Sequence, residues 1–125
     1  MNLLIAAAAS IVLPGLPLEE LPQQKLESGR CVAFLWTRTT PPLRVAMIDE
    51  ATSSLRIRKD SKQRDLPHSQ PGYYRASDIS IRVDLDFAPG STIPNGEIIR
   101  QGAIRIEQPG KDTLVMPVGG VRACQ

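Results

Sequence analysis

The chain has 125 residues, 42% of them hydrophobic, and a formal net charge of +2. That length holds one domain with a single modest core, and so small a net charge does not mark a nucleic-acid binder. The aromatic side chains are Phe34, Trp36, Tyr73, Tyr74 and Phe87 alone. The core must therefore be aliphatic and rich in β-branched residues, which favours strands.

Residues 1–15 read as a signal peptide. Leu3 to Leu13 is an apolar run containing Ala6-Ala7-Ala8-Ala9, with no charged side chain before Glu19. Such a run falls short of the roughly 20 residues a helix needs to cross hydrocarbon, and it matches the apolar region of a secretory leader. No Lys or Arg precedes it, and the best small-residue cleavage site, Ala8-Ala9-Ser10, falls inside it. The competing reading is an uncleaved apolar segment packed on the domain. Export to the periplasm or the medium is the expectation, with no transmembrane span.

Residues 16–30 form a proline-rich lead-in. Pro17 and Pro22, with Pro14 just ahead of them, exclude a regular helix or central strand. The segment is expected to run extended and lay Leu16, Leu18 and Leu21 on the fold.

Residues 31–125 carry the signals of a single β domain. Cys31-Val32-Ala33-Phe34-Leu35-Trp36 is apolar on both faces, as a strand covered on both sides would be. Trp36 is expected to be buried, the alternative being an exposed anchor at the strand end. Leu43 to Ile48 and Leu55 to Arg58 are further strand candidates. Leu66 to Gly72 reads as a surface loop, because Pro67, Pro71 and Gly72 punctuate it. Ile79 to Phe87 alternates without error, with Ile79, Ile81, Val83, Leu85 and Phe87 on one face and Ser80, Arg82, Asp84 and Asp86 on the other. A turn at Pro94-Asn95-Gly96 precedes a strand from Ile98 to Glu107, bulged at Gly102. Gln108-Pro109-Gly110-Lys111 is a hairpin turn, and the returning strand from Thr113 is interrupted by Pro117 and Gly119-Gly120. No segment has a helical period. The pattern predicts a small antiparallel β-sandwich or partly open barrel of six or seven strands.

Cys31 opens the first strand and Cys124 closes the last. A nucleophilic thiol would need a base, and His68 is the only histidine. A metal site would need a cluster of soft or imidazole ligands that two cysteines and one histidine, widely spaced, do not make. A disulfide between Cys31 and Cys124 is therefore expected, as in an oxidising compartment, and the chain-entropy model assigns such a closure about 4–5 kcal/mol.

Catalytic signatures are weak. His68 sits between Asp65 and Ser69 without the nucleophile that would complete a triad. Asp84 and Asp86 share a strand face, a spacing compatible with paired-carboxylate hydrolysis, but also with a solvated face whose acids meet arginines such as Arg105. Gly90 to Gly96 lacks phosphate-loop spacing, and no cofactor is called for.

One stretch stands out in charge. Of 15 basic and 13 acidic residues, five basic and one acidic fall between Arg56 and Arg64, which leaves ten and twelve elsewhere. All the surplus positive charge lies in this hairpin. Arg56, Arg58, Lys59, Lys62 and Arg64, with Tyr73, Tyr74 and Arg75, make a candidate contact surface for an anionic partner such as an envelope component or another exported protein. Nucleic acid is disfavoured, because the hairpin lacks stacking aromatics. The plainer reading is a charged hairpin that resists sheet-to-sheet association. The functional expectation is an exported, non-catalytic binding or structural module. The alternatives are a small envelope hydrolase, or an inhibitor or chaperone-like partner that adds an edge strand to another sheet.

Overall fold

Eight strands follow one another in a computed structural model that describes residues 16–88 and 96–124. They are β1 (Cys31–Thr37), β2 (Arg44–Asp49), β3 (Ser54–Lys59), β4 (Lys62–Gln70), β5 (Tyr73–Ala76), β6 (Ile79–Phe87), β7 (Gly96–Glu107) and β8 (Leu114–Cys124). Each pairs antiparallel with the next, and β8 returns to β1 to close a barrel. The all-β antiparallel expectation holds; the sandwich or open barrel of six or seven strands is corrected to a closed barrel of eight. The leader at residues 1–15 and the turn at Pro94-Asn95 lie outside the described residues.

The strands not foreseen are β4, whose second half runs through the stretch read as a loop, and β5, which follows directly after it. Pro67 is accommodated because it sits opposite Ser54, the last pair of the β3–β4 ladder, and the β4–β5 register slips soon after, between His68 and Gln70. β8 is not an edge strand, for it pairs with β7 on one side and β1 on the other. Pro117 fits there because β1 stops at the Thr37–Val118 pair, so on that side its missing N–H has no partner to disappoint. The bulge expected at Gly102 is present, as a register shift in β7 between Ile99 and Gly102.

Turn chemistry sets the register. Asp60 and Ser61, with φ of 53° and 63°, turn β3 into β4 in the left-handed conformation that a two-residue hairpin requires. Between β7 and β8, the Lys111 N–H donates to the Gln108 carbonyl across Pro109-Gly110.

Inward positions are aliphatic. Leu35, Val45, Leu55, Ile57, Leu66, Ile81, Ile104 and Val118 are fully buried in one interior cluster, and a barrel of eight strands is just wide enough for such side chains to fill. Outward positions on β3, β6 and β7 carry Arg56, Arg82, Asp84 and Arg105. That polarity is the reverse of a lipid-facing barrel. No helix among the described residues is long and apolar enough to cross a membrane.

The lead-in is a strap. Leu18 joins the interior cluster, whereas Leu21 is buried on the outside with Val32 and Met47. Between them the Glu19 N–H donates to the Arg58 carbonyl and the Leu21 N–H to the Arg44 carbonyl. The strap thus caps one end of the barrel and then covers the outer face of β1 and β2, which explains why β1 is apolar on both faces. At the far end Cys31 lies opposite Cys124 in the β1–β8 register, their sulfurs 2.11 Å apart. The same end carries Arg122, which grips Glu50 with two nitrogens and reaches Glu97.

Candidate functional site

The basic hairpin is largely neutralised from within. Arg56 holds Asp65 through two nitrogens, at 2.7 and 3.0 Å, and also donates to Gln24 of the strap. Arg64 holds Asp78, in the turn between β5 and β6, at 2.7 and 2.8 Å. Arg58 faces Glu19 at 3.5 Å, and Lys59 faces Asp60 at 3.4 Å. Hydrogen bonds from the guanidinium groups hold Asp65 and Asp78 below the usual carboxylate range, so both acids stay charged. Of the five basic residues only Lys62 has no ion pair among the described residues. Glu19, Asp65 and Asp78 lie outside the hairpin's basic run in sequence, and the fold brings them to it.

Tyr73, Tyr74 and Arg75 divide between two faces. Tyr74 points into the barrel and is buried, and that burial raises its phenol above the ordinary range. It is therefore not a surface contact, because the β5 alternation that turns Tyr73 and Arg75 outward must turn Tyr74 inward. His68 is exposed on β4 with its ring edge-on to Tyr74, 5.7 Å between centroids. No hydroxyl or carboxylate hydrogen-bonds it among the described residues. Asp86 accepts from Arg100 at 2.8 Å, which pulls its pKa down and suits it poorly to general-acid work. The described residues contain no cluster of three or more potential metal ligands.

Two arrangements appear on the outer wall that the sequence did not announce. The first is a row across β5, β6, β7 and β8: Tyr73 opposite Arg82, Arg82 opposite Arg105, Arg105 opposite Val115. Two arginines thus stand directly across from each other. The Arg82 guanidinium lies over the Tyr73 ring at 4.9 Å, and neither arginine, nor neighbouring Arg75, has an ion pair among the described residues. Asp84 and Glu107 sit two residues along from Arg82 and Arg105 on the same face, outside ion-pair distance. Like charges directly opposed on a sheet are unfavourable.

The second arrangement surrounds Trp36, which is half-buried on the outer face of β1 and not in the core. Phe34 props it, ring centroids 6.0 Å apart, and Arg44 lies over Phe34 at 5.7 Å. A depression of about 330 Å³ beside it is lined by Trp36, Arg38, Pro42 and Gly119-Gly120. A second, of about 460 Å³, lies over the β7 bulge and is lined by Arg38, Asp84, Asp86, Gln101 and Pro117. Arg38 borders both. Its guanidinium donates to the Arg100 carbonyl and lies flat on Gly119, where an added Cβ would come within 2.7 Å of it.

Both arrangements depend on register between distant strands, so the residue types were visible in the sequence and their juxtaposition was not. Comparison with protein families finds no matching family model, and comparisons with curated proteins and with solved structures find no match.

Proposed function

We propose that this chain is an exported, periplasmic or secreted, non-catalytic binding module that meets an anionic partner with the outer wall of β5–β7. The observation that carries the reading is that Arg82 and Arg105 stand opposed beside Tyr73 and Arg75, neither of them ion-paired among the described residues. A sheet gains nothing by facing two guanidinium groups at each other, whereas a phosphate, sulfate or carboxylate placed between them would satisfy both at once. The filled interior argues against a ligand held inside the barrel. The closed strand ladder removes the free edge that strand addition to another sheet would need, which disfavours that route for an inhibitor or chaperone. The sulfur pair at the β1–β8 seam is compatible with export.

Retention on a sulfonate resin and on vesicles containing anionic lipid, measured against salt, tests the reading. The double variant Arg82→Glu/Arg105→Glu is expected to lose salt-sensitive retention on at least one of the two. Arg56→Glu/Arg64→Glu, which disturbs an already neutralised hairpin, should lose less. Equal loss from both pairs, or unchanged retention of the wall variant, sinks it.

A further inference from the structure

The two depressions that meet at Arg38 form one groove across the outer wall, separate from the arginine row. Trp36 on β1 is level with Gly119 on β8; two residues back on β8, Pro117 is level with Ala103 on β7, which is level with Asp84 on β6. Three strand-to-strand steps and a two-residue offset along β8 separate Trp36 from Asp84, about 16 Å over the sheet surface. At one end is the half-buried Trp36 ring beside Gly119 and Gly120, which carry no side chain to cover it. At the centre is a guanidinium fixed against Gly119 with N–H groups to spare and no carboxylate partner among the described residues. At the other end are the carboxylate of Asp84, with no ion pair among the described residues, the carboxylate of Asp86, which accepts from Arg100, and Gln101.

We infer that this groove binds a short neutral oligosaccharide, with one pyranose ring lying on Trp36 and the hydroxyls of the following rings meeting Arg38 and Asp84. A sugar ring presents C–H groups on its faces, which suit an aromatic platform, and hydroxyls around its rim, which both donate and accept. Carboxylates that only accept and a guanidinium that only donates match that rim without competing for the same hydroxyl role. Leu85, Ala103, Pro117 and Val118 add apolar surface beside the carboxylates, a mixture that suits the C–H faces and the hydroxyl rim of a sugar, and the closed barrel offers no backbone edge to a peptide. Fixing Arg38 on Gly119 before the ligand arrives lowers the ordering cost of binding.

Trp36 is the only tryptophan of the chain, so its emission reports on this groove directly. Titration of the intact protein with cellotetraose and with chitotetraose is expected to give a saturable change with at least one. Arg38→Ala and Asp84→Asn, both at exposed positions, should each weaken that binding about tenfold. Added salt should leave it nearly unchanged, which separates it from any anionic binding at Arg82 and Arg105. No emission change with either sugar, a change that neither substitution weakens, or a response only to a peptide overturns the assignment.

Discussion

The barrel has two unlike walls. Over β1–β3 the strap lies on the strands, Leu21, Val32 and Met47 form a second small core, and each arginine on β3 has found a carboxylate. Over β5–β8 none of the described residues lies on the sheet as the strap does over β1 and β2. There Val115 is 56% exposed, Arg82 faces Arg105, and Arg38 rests on glycine beside an open groove. Same fold, same strand geometry, different treatment of charge and apolar surface. The covered wall is arranged for stability; the bare wall carries features that folding alone does not explain.

The seam between the walls is β1 against β8, and cutting its staple should have the largest effect. Replacing Cys31 and Cys124 by serine opens a loop spanning 93 residues of sequence. The expected loss is about 4–5 kcal/mol, read from urea denaturation with and without reductant. A loss below about 1 kcal/mol would mean that the β1–β8 ladder and the strap hold the seam by themselves.

The walls themselves are compared by truncating one apolar side chain on each. Leu21 of the strap is fully buried against Val32 and Met47, so Leu21→Ala should cost about 2–4 kcal/mol. Val115→Ser on the bare wall should stay within about 0.5 kcal/mol. Similar costs at the two sites would show that the bare wall is covered in solution, and a dimer by sedimentation would identify a second copy as the cover.

The alternation of Ile79 to Phe87, the hairpin turn at Gln108 to Lys111 and the pairing of Cys31 with Cys124 were legible because each depends on short-range chemistry or on chain order alone. β4 was not, since Pro67 looks the same in a loop and at a ladder end, and only the slip beside it distinguishes the two. The charge of the hairpin was legible and its neutralisation was not. Glu19 and Asp78 reach it through the strap and the β5–β6 turn, which local sequence does not reveal. Trp36 was misjudged for a related reason: the strap packs on Val32, Phe34 and Met47, and Trp36 is not part of that cluster. Long-range register is what composition and periodicity leave out, and both candidate binding features are made of it.

The smallest predicted effect is the most discriminating. If the opposed arginines are kept for binding, removing one should relieve the sheet and impair the interaction together. Arg105→Thr puts a β-branched residue of good strand propensity opposite Arg82 and deletes the like-charge contact. Unfolding free energy is then expected to rise by about 0.2–1 kcal/mol while retention on the anionic resin falls. Asp84 and Glu107 nearby work against this, since each lies on the same face and could soften the repulsion at longer range. A fall in stability would show that they do so and that Arg105 is held by them as Arg56 is held by Asp65. The bare wall would then be as well balanced as the covered one, and the contrast between the walls would reduce to the strap.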